Sequence, residues 1–189
     1  METTEQRKKV DLSSFDNAWY KPGGSVKRVL WLIVNAVFFN HGLAVFNSVK
    51  IRLLRMFGAR VGKNVLIKPS VSIKYPWLLT IGNNCWIGEK VWIDNLAEVN
   101  VGNHVCLSQG SMLLTGNHDF RKRSFDLIIK PITLEDGVWI GAKSVVCPGV
   151  YAESHSILTV QSVVTTRMEA YTIYQGNPAK PVKIREVRG

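Results

Sequence analysis

The sequence contains little cysteine. Among its 189 residues there are three, Cys85, Cys106 and Cys147. Their number is odd and no two have the CxxC spacing, so neither a disulfide framework nor a zinc site of that type is expected. The N-terminal segment METTEQRKKVDLSS is polar and lacks the apolar stretch of a secretion signal. Both observations predict a cytoplasmic protein.

Long hydrophobic runs are missing as well. The apolar stretch from Val29 to Phe39 has eleven residues and is broken by Asn35, whereas a helix that spans a bilayer needs about twenty. We therefore predict no transmembrane segment. Farther along, apolar residues recur near helical spacing at Phe46, Val49, Leu53, Met56 and Phe57. Basic residues lie on the other faces, so two roles stay open for this helix: a cap on the fold, or a peripheral contact with an anionic membrane.

Acidic residues are scarce relative to basic ones. The chain has 14 Asp and Glu against 24 Lys and Arg, for a net charge of +10. Basic residues cluster at 121–130 and at 180–188. Such a balance suits nucleic acid, but no helix-turn-helix, zinc finger or aromatic strand motif accompanies it. We therefore expect a smaller anionic partner and no nucleic acid.

An aliphatic residue returns every six positions through most of the chain. The positions are Val61, Ile67, Ile73, Ile81, Ile87, Ile93, Val101, Leu107, Leu113, Leu134, Ile140, Val146, Ala152, Leu158 and Val164. A period of six fits neither the 3.6 of an α-helix nor simple alternation, and it is typical of a parallel β-helix. The residue four positions later is usually small or β-branched, with Trp77 as the departure. The sequence therefore predicts an all-β fold made of hexapeptide repeats.

Grouping three hexapeptides into one triangular coil divides the chain. The predicted coils are 61–80, 81–100, 101–114, 134–151 and one that starts at 152. Glycine often follows the repeated position, at Gly62, Gly82, Gly88, Gly102 and Gly141, and we expect it to supply backbone freedom at the bends. A solenoid needs caps at both ends. We predict an N-terminal helical extension at 1–60, a β-helix at 61–169 with a loop insertion at 115–133, and a short C-terminal cap at 170–189.

The repeat stops once, between Leu113 and Leu134, and this insertion contains His118. The other histidines, His41, His104 and His155, lie at turns or in ordinary repeats. His118 has turn-forming neighbours that can present its ring to solvent, so we predict it to be a general base, with a structural role for the ring as the alternative.

Three polar residues near this insertion are candidate substrate contacts: Asp94, Asn95 and Asp119. Asp94 and Asn95 interrupt the repeat one coil below the insertion. A carboxylate there is able to accept a hydrogen bond from a hydroxyl of a ligand, with simple solvation of the corner as the alternative. Asp119 follows His118 directly and is a weaker candidate.

Several segments resemble a known family. The hexapeptides, the histidine-containing insertion and the tail GNPAK at 176–180 are similar to the hexapeptide-repeat acyltransferase superfamily. Within it, DLSSFDNAWYKPG, IKYPW, WIGEKVWIDNLAEV, LSQGSMLLTGNHDF and YTIYQGNPAK resemble the colanic acid biosynthesis acetyltransferases. The resemblance implies a left-handed β-helix, a homotrimer that binds acetyl-CoA between adjacent helices, and His118 as the base. It also implies a sugar or lipid-linked sugar acceptor from polysaccharide biosynthesis.

The resemblance also indicates residues for acetyl-CoA. Gly141 and Ala142 are small enough to let a pantetheine arm lie against the backbone. Val160, Thr165 and Thr166 match positions that line the CoA groove of the superfamily, although Val160 and Thr166 depart from its usual residues. Arg167 or Lys180 is then expected to meet the CoA phosphates. Trp139 is expected to stack on the ligand or to pack against the next subunit.

Acetyl transfer needs a hydroxyl made nucleophilic next to a thioester, and a neutral imidazole can accept its proton. Three alternatives stay open at this point: transfer to another hydroxyl or to an amine, a non-catalytic β-helix scaffold, and a zinc-dependent hydratase. The hydratase needs three converging histidines, and no second histidine lies near His118 in the sequence. We therefore predict no metal.

Overall fold

The computed structural model describes residues 9–188. They form a left-handed parallel β-helix preceded by two α-helices, which confirms the predicted fold class. Residues 1–8, the start of the polar N-terminal segment, lie outside the described residues, as does residue 189. Three sheets make the three walls of a triangular prism, and five coils of three strands each stack along it.

The strands, numbered in chain order, are short and pair in parallel within each wall. Sheet A contains β1 (Arg60–Val61), β4 (Leu79–Ile81), β7 (Val99–Val101), β12 (Ile132–Leu134) and β15 (Tyr151–Ala152). Sheet B contains β2 (Leu66–Ile67), β5 (Trp86–Ile87), β8 (Cys106–Leu107), β13 (Trp139–Ile140), β16 (Ile157–Leu158), β18 (Thr172–Gly176) and β19 (Ala179–Ile184). Sheet C contains β3 (Ser72–Ile73), β6 (Trp92–Asp94), β9 (Met112–Leu114), β14 (Val145–Val146) and β17 (Val163–Val164).

The repeated aliphatic residues point into the prism. From Ile67 to Val164 every one of them is buried, and only Val61 in the first coil is half-buried. The register aligns equivalent positions, as in the series Val61, Ile81, Val101 along sheet A. This continuous apolar column is the core, because each coil buries its inward residues against the coils above and below.

Glycine after the repeated position has a different role from the expected one. Gly62, Gly82 and Gly102 do not have the left-handed backbone that favours glycine. They follow β1, β4 and β7, and each approaches the next coil closely: a Cβ on Gly82 would lie 2.5 Å from the Gly102 carbonyl oxygen. The expectation of backbone freedom was wrong here. Glycine is needed because the coils stack with no space for a methyl group.

The two helices cover the open end of the first coil. Helix α1 (Ser25–Phe38) and helix α2 (Asn47–Met56) supply polar side chains to all three walls. On sheet A, Arg55 donates to the Val61 carbonyl at 2.8 Å; on sheet C, the Trp31 indole donates to the Ile73 carbonyl at 2.7 Å. These bonds satisfy backbone groups that a terminal coil would otherwise leave unpaired.

Lys50 of α2 serves sheet B in the same way. Its side chain is buried, and Nζ donates to the carbonyls of Ile67 at 3.0 Å and Lys68 at 2.8 Å. Burial lowers the pKa of this ammonium group, because removal from water disfavours its charged form. The basic residues of α2 are thus partly structural, which accounts for some of the unusual charge of this segment.

At the other end, β18 continues sheet B and β19 returns antiparallel to it. Arg185, just after β19, donates to the carbonyls of Gly137 and His155 and so ties the C-terminal segment to the coils. Within residues 9–188, no helix combines the length and the hydrophobicity needed to cross a bilayer.

Candidate active site

The insertion is an antiparallel hairpin. Strand β10 (Gly116–His118) pairs with β11 (Leu127–Ile129), and His118 stands opposite Leu127. Asp126 stabilises the turn, since its carboxylate accepts from Lys122 at 2.8 Å and from the Ser124 hydroxyl at 2.6 Å. The hairpin leaves the prism at the corner where the chain passes from sheet C to sheet A of the next coil, which we call the C–A edge.

The hairpin fixes both the orientation and the tautomer of His118. Its Nδ1 lies 2.9 Å from the carbonyl oxygen of Phe125, and the two rings stack with centroids 4.4 Å apart. A carbonyl oxygen only accepts hydrogen bonds, so Nδ1 is the protonated nitrogen of the neutral ring. The other nitrogen, Nε2, then has a free lone pair. It has no hydrogen-bond partner within residues 9–188. This is the state that a general base requires.

The ring of His118 lines a cavity of about 740 Å³. Most of the opposite wall is the N-terminal segment, including Phe15, Tyr20 and Arg28, and the rest comes from the C–A edge, including Lys74 and Tyr75. The cavity is partly apolar and partly basic, and its volume is typical of a small-molecule site. The hairpin, the prism and the N-terminal segment all contribute residues to the lining of this cavity.

The N-terminal segment is held in place by specific contacts. The Tyr20 hydroxyl donates to the Leu96 carbonyl at 2.8 Å, and burial raises the pKa of this phenol above its ordinary value, so it stays protonated. Asp11 pairs with Arg123 of the hairpin at 3.0 Å. Trp77, the departure from the repeat, donates to the Pro22 carbonyl at 2.9 Å. The irregular residue in the repeat is therefore an anchor for this segment.

A second cavity, of about 500 Å³, adjoins the first between α1 and sheet C. Arg28, Lys74 and Tyr75 line both cavities, and Asp94 lines the second. Asp94 forms an ion pair with Lys74, 2.8 Å long. The structure thus places Asp94 near the His118 cavity but already engaged with a cation.

The other two predicted substrate contacts lie elsewhere. Asn95 is fully buried; its amide accepts from the Tyr75 N–H at 2.9 Å and donates to the Tyr75 carbonyl at 2.6 Å. It can therefore act on a substrate only through Tyr75, as a positioning residue. Asp119 does not line the cavity, because its carboxylate caps the Arg121 N–H in the hairpin turn at 3.1 Å. Neither side chain lines the His118 cavity in the single chain, and a contact of either with substrate stays a prediction.

The predicted acetyl-CoA residues divide between two edges of the prism. Gly141, Ala142 and Val160 lie where the chain passes from sheet B to sheet C, the B–C edge, and a Cβ on Gly141 would lie 2.6 Å from the Val160 nitrogen. Thr165 and Thr166 follow β17, at the C–A edge, and both are exposed. A single chain thus separates the two groups by the width of sheet C.

The predicted phosphate contacts differ in their availability. Arg167 pairs with Glu153 at 2.6 Å and packs over the ring of Tyr151. Lys180, on β19, is exposed and forms no ion pair within the described chain. Trp139 is 44% exposed on the outer face of sheet B, and its indole donates to the Ser108 hydroxyl at 2.8 Å. These placements leave Lys180 freer than Arg167 to bind an anion.

The N-terminal contribution to the site was missed from the sequence. Tyr20, Arg28 and Tyr75 are brought to His118 by contacts between residues far apart in the chain, and no periodicity links them. One usable signal was present: three aromatic residues lie within the seven-residue segment FDNAWYK, which lacks the repeat altogether. Within the described part of the chain, no three metal-ligating side chains cluster.

Comparison with known proteins gives three informative similarities, although no profile of a known protein family matches the chain. The chain is 38% identical over 177 residues to "Putative colanic acid biosynthesis acetyltransferase WcaF" of Escherichia coli (strain K12), covering 93% of this chain and 96% of that protein. It is 28% identical to the galactoside O-acetyltransferase of the same strain, covering 77% and 73%. A hexapeptide-repeat-containing acetyltransferase of Vibrio cholerae, solved with acetyl coenzyme A, has the same fold (TM-score 0.77, 23% identity, 86% and 88% covered).

Proposed function

Since this chain belongs to the hexapeptide-repeat acyltransferase superfamily, in the group of WcaF, and is an acetyltransferase, we propose that it transfers acetyl from acetyl-CoA to a sugar hydroxyl in the biosynthesis of a surface polysaccharide or exopolysaccharide. One observation above all supports this: His118 lines a cavity of sugar-binding size with Nδ1 bonded to a carbonyl, so that Nε2 can accept a proton. The name of the WcaF relative supports the polysaccharide context.

In the proposed mechanism His118 handles a single proton. Acetyl-CoA, when bound, supplies the acetyl group as a thioester and a sulfur leaving group. Nε2 accepts the proton of the sugar hydroxyl while the new ester bond forms, and the protonated ring can return that proton to the departing sulfur as the thioester bond breaks. The Phe125 carbonyl, 2.9 Å from Nδ1, stabilises the ring while it is positively charged. No covalent acyl-enzyme is required.

Two features support acetyl-CoA at the predicted positions. The B–C edge at Gly141 and Ala142 presents backbone without bulky side chains, which suits an extended pantetheine arm. Lys180 lies on β19 in the C-terminal cap. It is exposed and forms no ion pair within the described chain, so it is able to bind a phosphate. We propose Thr165, Thr166 and Arg167 as contacts from the other edge.

The division of these residues between two edges supports a homotrimer. Both groups can contact one acetyl-CoA if the B–C edge of one subunit faces the C–A edge of the next, and such a head-to-tail contact closes into a ring. Trp86, Trp92 and Trp139 are 63%, 42% and 44% exposed in the single chain. Burying these indoles between subunits would favour formation of the trimer. We propose a trimer with active sites between subunits.

The proposed function is tested by an acceptor screen. With acetyl-CoA and a panel of sugars, we expect release of free CoA thiol that depends on the acceptor, and an ester product that hydroxylamine cleaves. On a sizing column this activity should elute at three times 21.2 kDa. Thiol release that no sugar stimulates would contradict sugar acetylation, and activity in a species of 21.2 kDa would contradict the trimer.

We propose further that the enzyme works in the cytoplasm, in peripheral contact with the inner face of the membrane. Support comes from α1, which exposes an unbroken apolar stripe made of Val26, Val29, Leu30, Ile33 and Val37. Each of these side chains is more than half exposed. An apolar helix face on a protein of net charge +10 suits an anionic lipid surface.

Vesicle co-sedimentation tests the membrane contact. We expect the intact protein to sediment with vesicles that contain anionic phospholipid, and the variant with Val29→Glu and Ile33→Glu to remain in the supernatant, because two carboxylates on the stripe oppose insertion. Val187→Glu, at a position 64% exposed in the C-terminal tail, is the matched control and should still sediment. Equal sedimentation of the stripe variant would exclude α1 as the contact.

A further inference from the structure

The cavity beside His118 has an unbalanced charge. Three cations line it, Lys21, Arg28 and Lys74, and its lining includes no carboxylate. The only carboxylate of the adjoining cavity is Asp94, which is paired with Lys74. Lys21 and Arg28 therefore have no anionic partner in either cavity. Cations gathered in a partly enclosed space repel each other unless an anion joins them.

Arg28 is the central group of this cluster. It lies on α1 and lines both cavities, whereas Val26, two residues earlier, is 74% exposed and lines neither. One Nη donates weakly to the Ser25 hydroxyl at 3.2 Å, but Nε is buried and lacks any partner within residues 9–188. A buried donor without an acceptor is costly. A ligand oxygen that approaches the guanidinium would supply the missing acceptor.

Aromatic rings complete the lining next to these cations. Phe15 packs against His118 with centroids 5.7 Å apart, and Tyr75 stacks on Trp77. Aromatic faces suit the apolar face of a sugar ring, whereas arginine and lysine suit a phosphate group. The cavity therefore offers a sugar platform close to the base and an anion site beside it.

We propose that the acceptor is a phosphorylated sugar, whose phosphate or diphosphate is bound by Arg28, Lys74 and Lys21 while its hydroxyl faces His118. This inference rests on the proposed acetyl transfer and specifies its substrate class. The same phosphate chemistry occurs in a nucleotide-linked sugar and in a prenyl-linked sugar. The apolar stripe of α1 lies on the same helix as Arg28, so both sources are compatible with the site.

The test compares matched acceptors. With acetyl-CoA at saturation, kcat/KM is measured for a hexose 1-phosphate, the methyl glycoside of the same hexose, and the corresponding hexuronic acid. We expect the kcat/KM of the phosphate ester to exceed that of the methyl glycoside by at least about tenfold, because hydrogen bonds between charged groups are stronger than those to a neutral glycoside. Arg28→Gln should bring this ratio down toward one. Lys27→Gln, which removes the same charge one residue earlier on α1 outside both cavities, should leave the ratio unchanged.

Other outcomes are equally decisive. Equal kcat/KM for all three acceptors, or a preference for the hexuronic acid over the phosphate, would overturn the proposal while leaving acetyl transfer intact. Calorimetric binding of the hexose 1-phosphate to wild type, lost in Arg28→Gln, would support the anion site even if no acetyl transfer occurred. To distinguish a nucleotide-linked from a prenyl-linked acceptor, kcat/KM is also measured for a nucleotide diphosphate hexose and for a prenyl diphosphate hexose in vesicles. A higher kcat/KM for either one than for the methyl glycoside supports a phosphate site.

Discussion

Replacing His118 by alanine should lower kcat for acetyl transfer by about 100- to 10,000-fold, the range that general base catalysis contributes. The hydroxyl would then lose its proton acceptor, while the cavity and the acetyl-CoA groove would remain. KM for acetyl-CoA should change little, because the ring is predicted to handle a proton rather than to bind the donor. Thiol release at saturating acetyl-CoA and acceptor measures the effect.

The matched control is His104→Ala. His104 is exposed at the corner between β7 of sheet A and β8 of sheet B, whereas the hairpin leaves the C–A edge, and its ring lies 3.4 Å from the Asn84 side chain. Activity should be retained in this variant. Undiminished turnover in His118→Ala, with the elution volume of the wild type, would refute the role of His118 as base and leave acetyl transfer in need of another proton acceptor.

Replacing Gly82 by alanine should lower the free energy of unfolding by about 3 kcal/mol, the upper part of the usual range for overpacking. The added methyl group would meet the backbone of Gly102, at 2.5 Å from its carbonyl oxygen. Backbone cannot rotate aside as a side chain can, so the stacked coils must separate locally. For a protein of this size, the loss corresponds to a fall of about 6–12 °C in the melting temperature.

Gly42→Ala is the control for this prediction. A Cβ at Gly42 has no atom within 4 Å, and its backbone is outside the left-handed region, so stability should change by less than about 0.5 kcal/mol. Chemical denaturation of both variants, at one protein concentration, compares them. An equal stability of Gly82→Ala and wild type would mean that the coils can shift apart at little cost.

Sequence periodicity predicted the core because every wall of the prism repeats the same environment. Ile87, Leu107 and Ile140 lie one above another on sheet B, and each needs the same kind of residue. The reason for the glycines was not predictable in this way. The contact of Gly82 with Gly102 depends on the stacking distance between coils, which a single hexapeptide does not encode.

The sequence predicted His118 and the nearby Asp94, but not the N-terminal residues of the candidate site. His118 stood out because it interrupts the repeat, but the partners that surround it come from segments without a repeat. Tyr20 meets Leu96 and Asp11 meets Arg123 across long stretches of chain. Asn95 shows the opposite error: it interrupts the pattern as a ligand-binding residue would, yet its amide is used entirely on the backbone of Tyr75. A polar residue that interrupts the repeat binds a ligand only if its side chain points toward the ligand, and the repeat alone does not give that direction.

The bonds from α1 and α2 to the first coil have a consequence for self-association. A parallel solenoid with a bare terminal coil offers three unpaired strand edges, and a second solenoid can add to them and extend into a fibre. Arg55, Lys50 and Trp31 each occupy acceptors on a different wall. Growth along the prism axis is thereby blocked from this end, and assembly is directed to the sides of the prism.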